Sequence, residues 1–154
     1  MKIGMIGIST KSSELPLREL LAKACPKCLG GDSEAAAEYN VVLLSTCHRT
    51  EIYFSSEDLA STQTELLHVL RREIQEPFEH QIYSYFGIDC FVHLALVTAG
   101  MDSLILGESE IQRQVKMAYE TACLYRALQS CLHFLFQKSL KIAQEARTGF
   151  SSRV

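Results

Sequence analysis

The apolar residues of this chain change period part way along it. Up to about residue 87, short alternating or wholly apolar runs are separated by stretches with a helical stripe: residues 2–8, Val41 to Leu44, Glu51 to Phe54 and His80 to Phe86. From Gly107 onward the spacing is helical throughout, with Ile111, Val115, Ala118 and Ala122 on one stripe. Leu132, Leu135, Phe136, Leu140, Ala143 and Ala146 form another, after a short connection near residues 126–130. A period of two places alternate side chains on one sheet face, and a period near 3.6 places them on one helix face. The chain is therefore expected to be α+β, a small mixed or antiparallel sheet with helices in a split βαβ-like arrangement, followed by a helical subdomain. The boundary is expected near residue 87, giving an α+β unit over 1–87 and a helical unit over 88–154.

The connections carry their own signals. Pro16 suits a first helical turn, and Leu17, Leu20, Leu21 and Ala24 continue it, with a stop expected near Cys25-Pro26. Residues Lys27 to Glu34 contain Gly30-Gly31 and read as a loop. Leu59, Leu66, Leu70 and Ile74 mark a helix over 58–75, ended by Pro77. Asp89 reads as the N-cap of a helix running to about Ala99.

Composition narrows the class. The chain has 154 residues, 47% apolar and 21% charged, which is enough to bury a core and excludes wholesale disorder. With 15 basic and 18 acidic residues the formal net charge is −3, so contact with nucleic acid requires a local basic patch. Arg71-Arg72 and Arg113 with Lys116 are two such segments; each is ordinarily a solvated face and each could touch phosphate. No apolar run approaches the ~18 residues of a membrane span. The short apolar N-terminus reads as a strand, not a signal peptide. Six cysteines without an export signal indicate a reducing cytoplasm, and most free cysteines pack as small hydrophobes. Cys25-Pro26-Lys27-Cys28 closes a helix and has no second ligand pair, so it fits neither a redox motif nor a zinc site. No metal is expected. Glycine-rich dinucleotide and P-loop fingerprints and a G-x-S-x-G elbow are all missing from the sequence.

Two segments could carry chemistry. Ser45-Thr46-Cys47-His48-Arg49-Thr50-Glu51 follows an apolar strand directly. A cysteine on such a loop, beside cation-forming His48 and Arg49, has the setting of a thiolate nucleophile. The same residues also fit a cysteine buried in a turn between strands. The second segment runs from Gly100-Met101-Asp102-Ser103 to Gly107-Glu108-Ser109-Glu110 and Gln114, with His93 upstream. Free N–H groups at a helix start could receive an oxyanion, and ordinary capping would give the same pattern. His93 by itself fits a helix histidine satisfied by the core.

Taken together, these segments resemble the N-terminal catalytic domain of the glutamyl-tRNA reductases. The resemblance covers Leu44 to Tyr53, Gly100-Met101-Asp102-Ser103 through Ile111, Gln114-Val115-Lys116, Tyr119 and Phe136 to Leu140. It implies that Cys47 attacks the ester of glutamyl-tRNA to give a thioester, which NADPH reduces to glutamate-1-semialdehyde for tetrapyrrole biosynthesis. It implies catalytic roles for Cys47 and His93, the latter through proton transfer. It implies a glutamyl-binding role for Thr46, His48, Arg49, Ser103, Glu108, Ser109, Glu110 and Gln114, with Arg49 pairing with the substrate side-chain carboxylate. His48, Ser109, Glu110 and Arg113 stand where the family usually has Asn, Pro, Gln and Gly. The NADPH-binding and dimerisation domains of the family are expected to be absent from this chain. The chain alone would then form and hydrolyse the thioester without hydride transfer, and would be a monomer where the full-length enzyme is a homodimer. The other readings are a tRNA- or protein-binding module with an inert cysteine and, ranked after it, a structural zinc domain around Cys25 and Cys28.

Overall fold

The computed structural model describes residues 2–102 and 110–152, with side chains up to residue 146. Four strands, β1 (Ile3–Ser9), β2 (Val41–Ser45), β3 (Arg49–Ser55) and β4 (Tyr83–Phe86), form one sheet in the order β2-β3-β1-β4. All three pairings are antiparallel. Strands β1 and β2 flank β3, and β3 and β4 flank β1, so two split βαβ units interleave. Helices α1 (Leu15–Leu29) and α2 (Glu34–Tyr39) connect β1 to β2, and α3 (Leu59–Arg71) leads back toward β4. Helices α4 (Ile88–Thr98), α5 (Glu110–Tyr125) and α6 (Ser130–Ser152) follow.

Both faces of the sheet are covered, and side-chain alternation sorts them. Ile6, Ile8, Ile52 and Phe54 pack with Leu17 and Leu21 of α1 and Leu66 and Leu70 of α3. Ile3, Met5 and Tyr53 point the other way, into a cluster with Leu94 of α4, Val115 of α5 and Leu132 and Phe136 of α6. There the rings of Tyr53 and Phe136 meet edge to face at 5.3 Å, a geometry the ring quadrupoles favour. The second half of the chain thus packs directly onto the sheet. That packing aims the upstream part of β3 at α4.

Several local expectations need correction. Helix α1 does not stop at Cys25-Pro26; it runs to Leu29 with Pro26 inside it. Proline removes one helical N–H and crowds the preceding turn. Here Ala24, Cys25 and Leu29 are all buried against the sheet, and that burial outweighs the local penalty. Of the expected loop over 27–34, residues 30–33 form a turn; α1 takes residues 27–29, and α2 starts at Glu34, capped by the Ser33 hydroxyl, which accepts from Ala36 N at 3.2 Å. Helix α3 ends at Arg71, not near 75, and a turn from Leu70 carries the chain to Ile74. Asp89 lies inside the first turn of α4, whose cap position is Gly87 at φ 59°. Of the expected strand over 80–86, only Tyr83–Phe86 pairs; Glu79–Gln81 is a tight helical turn.

Candidate active site

Residues 46–48 join β2 to β3 in a loop closed by Thr46 N donating to Arg49 O at 2.8 Å. His48 N donates to the Thr46 hydroxyl at 3.2 Å, the local side-chain turn that threonine favours. Thr10 N donates to His48 O at 3.0 Å, pinning the loop to the end of β1. Cys47 occupies the tip and is exposed, while Thr46 and His48 are half-buried. The alternative of a buried turn cysteine is therefore excluded. Rigid strands hold a solvent-facing thiol.

The next residues alternate across the sheet. Arg49, Glu51 and Tyr53 share the face toward α4, opposite Ser9, Gly7 and Met5 of β1. Glu51 is completely buried. Its Oε1 accepts from the Tyr53 hydroxyl at 2.7 Å. Its Oε2 accepts from the Tyr83 hydroxyl at 2.5 Å, from His93 Nε2 at 2.6 Å and from Arg49 Nη1 at 3.3 Å. Four donors saturate the carboxylate. Burial alone would push its pKa up; His93, Arg49 and Tyr53 outweigh it and hold the carboxyl below the usual glutamate range. Burial beside that anion pushes the Tyr53 and Tyr83 phenols up, so both remain donors. His93 sits on α4 with its ring stacked on Tyr85 at 4.7 Å. The contact with Glu51 is the one that the core-histidine reading calls for.

Arg49 is 4% exposed. Besides Glu51, its Nη1 donates to Asp102 Oδ2 at 3.1 Å and its Nη2 to the Asp102 carbonyl at 3.2 Å. Lys11 reaches the other oxygen of Asp102 at 3.3 Å. Burial would lower the Arg49 pKa, but Glu51 and Asp102 more than compensate and raise it. Arg49 is thus a permanent cation between one buried acid and one half-exposed acid.

Space for this constellation is made in β1. A Cβ on Gly7 would lie 2.7 Å from Glu51 Cγ and 3.0 Å from the Thr50 carbonyl oxygen. Only a glycine lets the Glu51 side chain cross its neighbour strand at this point.

The remaining predicted residues fall in three places. Ser103, Glu108 and Ser109 lie outside the described residues. Glu110 opens α5 on an exposed face and pairs with Arg113 at 2.6 Å. Gln114 is half-buried and lines an open cleft of about 360 Å³ with Leu44 and Ser45, two residues from Cys47. Its Oε1 is buried without a hydrogen-bond partner among the described residues. Glu51, Asp102 and Tyr83 received no role from the sequence. An acid at the strand position between Arg49 and Tyr53, on the inward face, was the available signal.

Among the described residues no group of three or more His, Cys, Asp or Glu side chains could hold a metal ion. The chain between β1 and α1, Thr10 to Glu14, contains no glycine. The sheet is wholly antiparallel, so it lacks the phosphate-cradling strand-turn-helix of a dinucleotide fold. The described residues do not fit a nicotinamide dinucleotide.

An α+β architecture of this kind is found in the structure of glutamyl-tRNA reductase from Methanopyrus kandleri, with a TM-score of 0.73 at 24% identity over 96% of this chain and 35% of that one. That likeness is one of fold. Residues 6–150 match the family model for the N-terminal domain of glutamyl-tRNAGlu reductase, and the chain belongs to that family. Glutamyl-tRNA reductase of Chlamydia caviae is 43% identical over 98% of this chain and 44% of its own length. That of Chlamydia pneumoniae is 40% identical over 97% and 44%. The chain therefore spans less than half the length of these relatives. Among the described residues no helix is long and apolar enough to cross a membrane.

Proposed function

We propose that this chain is the thioester-forming domain of an NADPH-dependent glutamyl-tRNA reductase of tetrapyrrole biosynthesis, with residues 1–87 carrying the nucleophile loop and residues 88–154 completing the site. The observation that carries the reading is Cys47, solvent-facing at the tip of a pinned three-residue loop, immediately before the buried Arg49–Glu51–His93 constellation. The Cys47 thiolate attacks the ester carbonyl of glutamyl-tRNA. A carbon–sulfur bond forms, the ester carbon–oxygen bond breaks, and the terminal ribose hydroxyl of the tRNA leaves with a proton. His93 supplies that proton transfer, directly or by way of water. Arg49 takes the glutamyl side-chain carboxylate by exchanging it for Asp102, the acid now on the outer side of its fork. Thr46, His48, Glu110 and Gln114 surround the glutamyl group, together with Ser103, Glu108 and Ser109. Reduction of the thioester by NADPH belongs to residues other than those described. All six cysteines are free, in keeping with a reducing cytoplasm.

Intact-protein mass spectrometry after mixing with glutamyl-tRNA tests the reading. A glutamyl mass increment on the wild type and none on Cys47→Ser, with tRNA released, is expected. Release of tRNA at equal rates from both proteins, without an adduct, would assign the chain to a binding module with an inert cysteine.

A further inference from the structure

The fold separates the two basic segments of the sequence. Arg71 is hydrogen-bonded to Glu79, and the cleft it borders also contains Glu76. Arg71 and Arg72 face a second cleft with Glu34, Glu38 and Glu65. A phosphate entering either one meets carboxylates. The groove between α5 and α6 differs. It is open, about 550 Å³, and lined by Arg113, Lys116 and Lys141 with Gln112, Gln137 and Gln144; among the described residues no acid lines it. Arg113 also holds Glu110 at 2.6 Å, whereas Lys116 and Lys141 form no ion pair among the described residues.

The whole chain carries a formal charge of −3. With Arg113 paired to Glu110, the two lysines set a local field opposite in sign to the molecule as a whole, which favours a polyanion at that place. The three glutamines add neutral donors suited to phosphate and ribose oxygens. Position adds a second argument. Arg113 lines this groove and also the cleft containing Leu44, Ser45 and Gln114. Arg113 thus stands between the basic groove and the cleft at the strand end that leads to Cys47.

We infer that the α5–α6 groove, through Arg113, Lys116 and Lys141, receives the phosphate backbone of the tRNA whose aminoacyl end is presented to Cys47. The inference rests on the function proposed above and assigns it a nucleic-acid surface. Lys116 and Lys141 hold phosphates, Arg113 stands at the turn from groove to cleft, and the single-stranded aminoacyl end continues past Gln114 to the cysteine. Phosphate contacts of this kind set register and orientation, not sequence preference.

Binding of an uncharged glutamate-accepting tRNA transcript to the 154-residue chain, titrated over a range of sodium chloride, reads the groove independently of thiol chemistry. Lys116→Glu/Lys141→Glu is expected to weaken binding at least ~10-fold at low salt and to flatten the slope of log Kd against log salt by about two. Lys116→Gln/Lys141→Gln is expected to give a smaller loss in the same direction. Arg71→Glu/Arg72→Glu, with the same change in net charge, is expected to stay within about twofold of wild type. Thermal melts of each variant establish that it is folded. Wild-type affinity in both lysine variants overturns the inference, and so does an equal loss in the Arg71/Arg72 variant. If tRNA binding depends on Lys116 and Lys141 while Cys47 forms no adduct, the groove stands and the thioester reading falls.

Discussion

Replacing Glu51 by Gln tests whether the buried acid organises the site. The carboxylate accepts from two phenols, one imidazole and one guanidinium. Hydrogen bonds to a charged group contribute ~1.5–3 kcal/mol each in isolation. They do not sum, because the glutamine oxygen retains one or two of the four donors and Arg49 retains Asp102. Removing one partner of a buried ionic cluster costs ~3–5 kcal/mol when nothing compensates. With part of the cluster surviving, a loss of ~2–4 kcal/mol is expected. Domains of this size have urea slopes of ~2 kcal/mol/M, so the midpoint should fall by about 1–2 M. The pH dependence supplies a second leg. The folded pKa of Glu51 lies below its ordinary value of 4.5. Its contribution is therefore fully present above that value and is lost as pH falls from there through the lower folded value. Wild type should converge on Glu51→Gln in acid. A midpoint shift below about 0.3 M together with parallel acid profiles would refute the claim that an ionised Glu51 organises the network.

Gly7→Ala forces a Cβ to 2.7 Å from Glu51 Cγ and 3.0 Å from a backbone oxygen, and should cost ~1–3 kcal/mol in a thermal or urea melt. Alkylation with iodoacetamide near pH 8, followed by peptide mapping, should modify exposed Cys47 and Cys123 first and buried Cys25 and Cys90 last, since burial pushes both of the latter thiols up to about 12. Asp102→Asn weakens the outer hold on the Arg49 fork, so the glutamyl-tRNA concentration giving half-maximal adduct should fall by about threefold or more, against a maximal rate that changes less. Asn40 is the one non-glycine residue with positive φ among the described residues, at 51°, and its side chain bonds Ala127 O, Gln129 N and Ser55 Oγ. Asn40→Ala should therefore lower stability by ~2–3 kcal/mol, and Asn40→Asp by less.

The period change along the chain was enough to read the α+β class and the helical second half, because burying one face imposes its repeat on the sequence. Strand order was not readable, since the hydrogen bonds that join β3 to β1 and β1 to β4 leave no pattern in composition. Pro26 misled because a local rule was applied where tertiary burial decides. Helix α2 was missed because Gly30-Gly31 outweighed the Ser33 cap three residues later. At the candidate site, the exposed position of Cys47 on a loop after an apolar strand was legible from the sequence. Glu51 was passed over because its partners Tyr83 and His93 are 32 and 42 residues away. Only the sheet and α4 bring them together. Of the groove cations, Arg113 and Lys116 were visible as a basic segment; Lys141 was not, because it joins them only through the packing of α6 on α5.

The alternation along β3 has a consequence for assembly as well as for chemistry. Arg49, Glu51 and Tyr53 face α4 and α6, while Ile52 and Phe54 face α1 and α3. A one-residue slip in pairing exchanges the two sets. It would drive the carboxylate and the guanidinium into the cluster of Ile6, Ile8, Leu21 and Leu70, which offers hydrocarbon to a charge, and an unpaired buried charge is far too costly to persist. An all-apolar β3 would lack that penalty. The charged pair beside the cysteine loop thus acts as a registration mark against every odd slip of β3 on β1, and Gly7, the residue that leaves room for the Glu51 side chain, marks the alignment within the even set.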